Sequence, residues 1–497
     1  MPSIKRLAIR GALLGMLAVS AGCAVGPDFV QPGSGLDAAR LQPKEGRVMQ
    51  QLPADPVPRD WWKLLNDPVL DGLIARAWDG NLDLQEAAAR VEQSRARAGI
   101  ALAELFPSVD MDAGLRRGAI SENGPMAALG ASTAATDIWR AGFQASWELD
   151  LWGRLRRQRE GAVAALQATI YEQRGAQVSL SAEIARQYVA LRGVQARLAI
   201  ADQNQKIAAH LVRLTQSRRA YGVATRFDLA SAQAQQAAVD ALIPALRDQQ
   251  NVLLNALALL VGEPPRSLDA QLAPNRALPE TALRLPVGLP SELALRRPDI
   301  QRASARLHAA TAAIGVAKAD FYPRVSLLGG FGAEAFEARD LGLWESTYFS
   351  FGPSIHLPIF EGGRLVRMLE LTQARQREAA IAYRRTVLQA WHEVDDAFNA
   401  MVAQQRRQAA LRSAMARSRE ALQAAQRSYQ EGAVDYVTVL AAQRGLLESE
   451  LALSGAATGS VIAVVRREGV AVSADIRAGL EGWTRQLDVA FPSVMQE

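Results

Sequence analysis

Between Gly153 and Gln216 the chain runs for more than sixty residues without a proline, and its apolar residues recur at steps of three and four. Val163, Leu166, Ile170, Leu180, Ile184, Tyr188, Leu191, Leu198, Ile207, Leu211 and Leu214 line up as one buried stripe of a helix. At ~1.5 Å per residue that helix would be roughly 95 Å long, more than a compact domain accommodates. The same pattern returns between Gly363 and Tyr429.

Ahead of each long helix the period changes to two. A first helix, with Asp67 as N-cap and Pro68 as its first residue, is expected to run to Leu105, where Phe106-Pro107 ends it. Val109, Met111, Ala113 and Leu115 then alternate with smaller or polar residues. After a Gly/Ala/Ser/Thr-rich loop, Trp139, Ala141, Phe143, Ala145, Trp147 and Leu149 do the same. Strands of about ten residues, apolar on one face and flanked by tryptophan, fit the wall of a lipid-facing barrel. A soluble hairpin packed on a helix is the other reading. Trp139, Trp147, Phe349 and Phe351 are the candidate membrane-interface aromatics.

The chain then repeats itself. Phe106-Pro107 returns as Tyr322-Pro323, and Gly222, Phe227, Leu229 and Ala232-Gln233 return as Gly432, Val437, Val439 and Ala442-Gln443, 210 residues later. Each half reads helix, strand, loop, strand, very long helix, helix. Repeat 1 is expected over 67–262, with a hairpin at 108–149, the long helix at 153–220 and a helix at 226–261. Repeat 2 is expected over 298–472, with a hairpin at 324–358, the long helix at 363–430 and a helix at 437–472. Seven prolines from Pro264 to Pro298 mark 263–297 as a linker, and 473–497 reads as an irregular tail.

Lys5, Arg6 and Arg10 precede a short apolar run, Leu7–Val19, and then Ser20-Ala21-Gly22-Cys23. This fits a signal peptide over 1–22 and a lipid-anchored Cys23, the chain's one cysteine. An ordinary cleaved leader with an incidental cysteine is the alternative, and Ser20 departs from the usual aliphatic residue. Ala24, in place of aspartate, leaves outer-membrane sorting open. Residues 23–66, rich in proline and glycine, read as a lipid-anchored tether. The net charge of +5 includes the three basic leader residues, so the remainder is close to neutral and offers no argument for nucleic acid. No apolar run after the leader is long enough for a membrane-spanning helix, so a membrane crossing would need strands.

Four strands leave two open edges, and an unpaired backbone group in hydrocarbon costs several kcal/mol. Copies must therefore associate. Three chains in cyclic symmetry would close a twelve-stranded barrel. The fold class expected is mainly α with a transmembrane β-barrel portion: a trimeric channel-tunnel with a long α-helical periplasmic barrel and two internal repeats.

The stretch Cys23 to Phe29, the signature Trp147-Glu148-Leu149-Asp150-Leu151-Trp152-Gly153-Arg154, the Phe/Tyr-Pro before each hairpin and the 210-residue repeat together resemble the outer-membrane efflux proteins of the TolC and OprM type, in their NodT-like lipoprotein branch. The resemblance covers nearly the whole chain after the leader. It implies a homotrimer embedded in outer-membrane lipid and extending into the periplasm. It also implies docking through a periplasmic adaptor onto an inner-membrane RND-type pump, and passive conduction of drugs and small toxic compounds. The channel of a type I polypeptide secretion system is the alternative, and a non-channel coiled-coil lipoprotein is a third. The resemblance further implies a periplasmic gate at the two helix turns, with Tyr221, Arg226, Asp228, Tyr429 and Asp435 as its residues. Val434 and Ala441 stand where the family often has arginine and aspartate, so the lock is expected to be wired differently. No enzyme signature is present: His210, His308, His356 and His392 are scattered without metal spacing, and no phosphate loop occurs. No cofactor is expected beyond a covalent lipid on Cys23.

Overall fold

The structure, a computed structural model, describes residues 24–31, 60–279 and 297–472. The leader 1–22, Cys23 and the tail 473–497 lie outside the described residues. Seven principal helices are α1 (Pro68–Gly80), α2 (Leu82–Ala103), α3 (Arg154–Ala220), α4 (Arg226–Val261), α5 (Pro298–Ala319), α6 (Arg364–Gln430) and α7 (Tyr436–Val472). The strands are β1 (Ser108–Gly118), β2 (Thr136–Leu149), β3 (Arg324–Ala335) and β4 (Thr347–His356). Helices α3 and α6 each hold 67 residues. The chain divides into two units, one built on Arg90–Thr169 and Ala303–Tyr383, the other on Ile170–Arg302 and the residues from Arg384 onward.

The first unit holds one antiparallel sheet in the order β1-β2-β3-β4, leaving β1 and β4 as edges. Period-two alternation fixes the register, because a slip of one residue would turn every side chain to the other face. Apolar side chains form six rows on one face, from Leu115–Trp139–Ala335 near the loops to Leu149–Val325–Ile355 near the helices. The opposite face carries Asp110, Asp112, Arg140, Gln144, Glu334 and Ser350.

The turn from β2 into α3 accounts for the Glu148–Arg154 signature. Asp150 accepts hydrogen bonds from the Leu155 and Arg156 amides at 3.0 and 2.9 Å, satisfying orphan donors at the helix start. Arg154 pairs bidentately with Glu148 at 2.9 and 2.8 Å. Trp152 donates to the Pro323 carbonyl at 2.9 Å and stacks on Tyr322. Gly153 sits at φ +79, a left-handed conformation that favours glycine.

The tether expectation for 23–66 fails where the structure describes it. Ala24–Gln31 packs on the first unit: the Val25 amide donates to the Trp152 carbonyl at 3.0 Å, Arg157 pairs with Asp28 at 2.5 Å, and Phe29 stacks on His308 at 4.4 Å. A Cβ on Gly26 would stand 2.5 Å from the Gly315 Cα, so backbone lies directly on backbone there. In the second unit Trp61–Leu65 forms a 3₁₀ turn whose Trp61, Trp62 and Leu65 are buried.

That second core surrounds α3. Leu70, Leu73 and Ile74 of α1, Leu254, Leu257 and Val261 of α4, and Val461 and Val465 of α7 pack against Ile184, Tyr188 and Leu191. Five successive residues, Leu191–Gln195, are buried, so here the helix is covered on every side and not along one stripe. The stripe expectation fails also at Val163, Ile207 and Leu214, each more than a third exposed. The expected single helix to Leu105 is interrupted at Asn81. Its side chain accepts from the Leu84 amide at 3.0 Å and donates to the Leu260 carbonyl at 2.9 Å, so it caps α2 and ties α1 to the end of α4. The 263–297 linker is likewise structured in part: Asp269–Leu272 makes one helical turn, with Leu268 and Leu272 buried.

Candidate functional site

In the second unit the α3–α4 and α6–α7 turns pack together. Val212, Ala232, Tyr436 and Leu440 form a small core flanked by Leu211, Leu229 and Tyr429. Tyr429 lies under the Arg218 guanidinium, 4.5 Å from the ring centre, and 5.5 Å from the Tyr436 ring. A cation over an aromatic face is worth about 0.5–1 kcal/mol at exposed sites. Burial pushes the Tyr436 hydroxyl above its ordinary titration range.

The candidate acids are engaged locally. Asp228 accepts from the Thr225 amide and hydroxyl, each at 2.8 Å, and the Thr225 hydroxyl accepts from the Asp228 amide at 3.1 Å. This reciprocal pair caps α4. Asp435 caps α7, accepting from the Thr438 hydroxyl at 2.6 Å and its amide at 3.0 Å, and these bonds hold its carboxyl below the usual range. Tyr221 and Arg226 are exposed, Tyr221 at 83%. Of the five candidate gate residues, then, Tyr429 packs in the junction of the two turns, and Asp228, though engaged in its cap, is near enough to Tyr436 for its charge to help raise that hydroxyl. Sequence reasoning missed Arg218 and Tyr436. Thr225-x-x-Asp228 was visible as a capping box but was read for its aspartate alone.

The apolar face of the sheet is the second candidate surface. Trp139 stands in the first row and Trp147 in the fifth, where its indole donates to the Leu105 carbonyl at 2.9 Å. Phe349 and Phe351 stand in the two central rows, beside Phe143–Phe331 and Ala145–Gly329. Their position in the alternation is as expected, but they mark the middle of the apolar band and not its margin. Both are exposed, at 84% and 79%, on a single chain.

A profile of the outer membrane efflux protein family matches residues 73–263 and 289–466. The chain belongs to the outer membrane efflux protein family. It is 32% identical to the outer membrane protein OprJ of Pseudomonas aeruginosa, over 91% of this chain and 93% of that one. It is likewise 32% identical to the pyoverdine export outer membrane protein OpmQ of the same organism, over 84% and 87%, and 30% identical to the nodulation protein T of Rhizobium leguminosarum bv. trifolii, over 88% and 91%. Among solved structures it is similar to the outer-membrane channel OprN, with a TM-score of 0.83, 33% identity and 91% and 99% coverage. It is also similar to VceC of Vibrio cholerae, with a TM-score of 0.77, 28% identity and 84% and 99% coverage. The chain is therefore an outer-membrane channel component of efflux systems, in a family of transport proteins.

Proposed function

We propose that three copies close a twelve-stranded barrel through their free β1 and β4 edges, with the apolar rows toward lipid and the long helices forming a periplasmic tube. The supporting observation is a four-stranded sheet with two unpaired edges and an exposed apolar band. The trimer acts as the passive conduit of a tripartite system, receiving drugs and small toxic compounds from an RND-type inner-membrane pump through a periplasmic adaptor. Relatives named for toluene efflux and pyoverdine export fit small-molecule cargo. Cys23 carries the lipid anchor. The shut end lies at the helix turns, where Arg218, Tyr429 and Tyr436 form the contact that opening must break; Tyr221, Arg226, Asp228 and Asp435 flank it.

Purified protein is expected to migrate as a trimer on sizing in detergent and to conduct in a planar lipid bilayer. A stable monomer without conductance overturns the proposal.

A further inference from the structure

We propose that Tyr348 sets the clear width of the conduit at mid-sheet, lying flat against the wall on a floor made by Gly142 and Gly332. The inference rests on the closed-barrel reading above, in which the polar face of the sheet lines the lumen.

Tyr348 lies on the polar face, in the row Asp112–Gly142–Gly332–Tyr348. Both glycines have ordinary extended backbone, so no special φ calls for glycine. What calls for it is the close approach of facing backbone and ring together. A Cβ on Gly142 would stand 2.9 Å from both the Phe331 carbonyl and the Tyr348 hydroxyl, and one on Gly332 would stand 2.7 Å from the Gly142 Cα and 3.0 Å from that hydroxyl. The side chain therefore reaches from β4 across β3 to β2 instead of standing up from the sheet. Burial agrees: in strands whose residues are otherwise exposed or half-buried, Gly142, Gly332 and Ala335 alone are buried. The ring also has a cover, the Arg140 guanidinium, 5.5 Å from its centre and held by Glu334 at 2.7 Å. Glycine floor, aromatic ring and ion-paired arginine make three layers that fix one rotamer. With three copies, three rings would lie at one level of the bore. A tyrosine standing upright there would project about 6 Å farther into the lumen, given the length of an aromatic side chain.

The test is thiol modification during single-channel recording. Cys23 is the one native cysteine, so treated wild type is the background control. Tyr348→Cys labelled with a bulky, water-soluble methanethiosulfonate should lose conductance on the order of twofold, because a group attached there enters the ion path. Phe349→Cys, on the opposite face, should be unaffected. Gly332→Ala should lower conductance by lifting the ring, and Gly332→Ala with Tyr348→Ala should restore it. A Cβ at Gly332 also meets the Ala141 carbonyl at 2.6 Å, so if that variant does not assemble, the cysteine pair decides. A conducting wild type whose Tyr348→Cys and Phe349→Cys variants respond alike overturns this proposal and leaves the barrel intact. A wild type that does not conduct overturns the barrel itself.

Discussion

The core around Tyr188 and the four-stranded sheet follow opposite rules. At Leu191–Gln195 a helix inside one chain is covered on every side. In the sheet, phenylalanines stand almost fully exposed and nearly every residue touches solvent. The first region is complete in one copy. The second has the alternation of a finished wall but not its surroundings, and on the proposed reading lipid and two further copies supply them. The difference shows what an exposed apolar residue means: alone it is unremarkable, but in six registered rows it is a surface waiting for a nonaqueous partner.

Four tests sharpen that contrast. Leu73, fully buried, should cost about 2–5 kcal/mol as Leu73→Ala, read from chemical denaturation of the solubilised protein; a cost below ~1 kcal/mol would show that the core is not self-sufficient. Phe349→Arg should leave that unfolding transition in place but cost about 2–4 kcal/mol per chain in lipid. Barrel insertion should then fail, read as lost conductance in a planar bilayer even though the Cys23 lipid still holds the chain to the membrane, whereas Ser350→Arg on the other face should still conduct. Equal behaviour of the two would erase the distinction between faces.

A third test is alkaline. Tyr188 donates to Asp67 at 2.5 Å, and burial, followed by that bond, pushes its hydroxyl up from 10.0 to about 12. A raised folded-state value means the stabilisation is whole below pH 10 and drains as pH climbs through about 12. Tyr188→Phe should flatten the fall in stability over that window. Last and smallest, Thr225→Ala removes the α4 cap and should cost about 1 kcal/mol. Asp228→Asn, which keeps a side-chain acceptor, should leave conductance unchanged if the residue is only a cap. Increased leakage from Asp228→Asn would restore it to the gate, and Tyr429→Ala should leak in either case.

The elements were legible because their signals are local. Proline-free periodicity located both long helices, alternation located the first hairpin, and the internal repeat placed the second. What sequence could not show was what surrounds each element. The cover over Leu191–Gln195 comes from residues distant in the chain, among them Thr458 of α7 against Gly193 and the Leu272 carbonyl, which accepts from Arg192 and Gln195, so a single stripe was the most that periodicity could suggest. Asn81 was readable as a cap but was hidden by apolar steps continuing on both sides. Trp61-Trp62, at the end of a stretch whose composition says linker, mark the entry to structure, because two adjacent indoles carry enough apolar surface to anchor a core. The candidate acids of the gate were found by position, but their partners, Thr225 and Thr438, give them capping roles that spacing alone did not weigh.

Helices α3 and α6 have the same number of residues, and each runs from a sheet strand to a turn that meets the other turn. Within the second unit their two turns share one small core, so removing a helical turn, ~5.4 Å, from one helix alone would slide its side chains out of step with those of the other. A length change that keeps that core must therefore arrive as a matched pair, 210 positions apart.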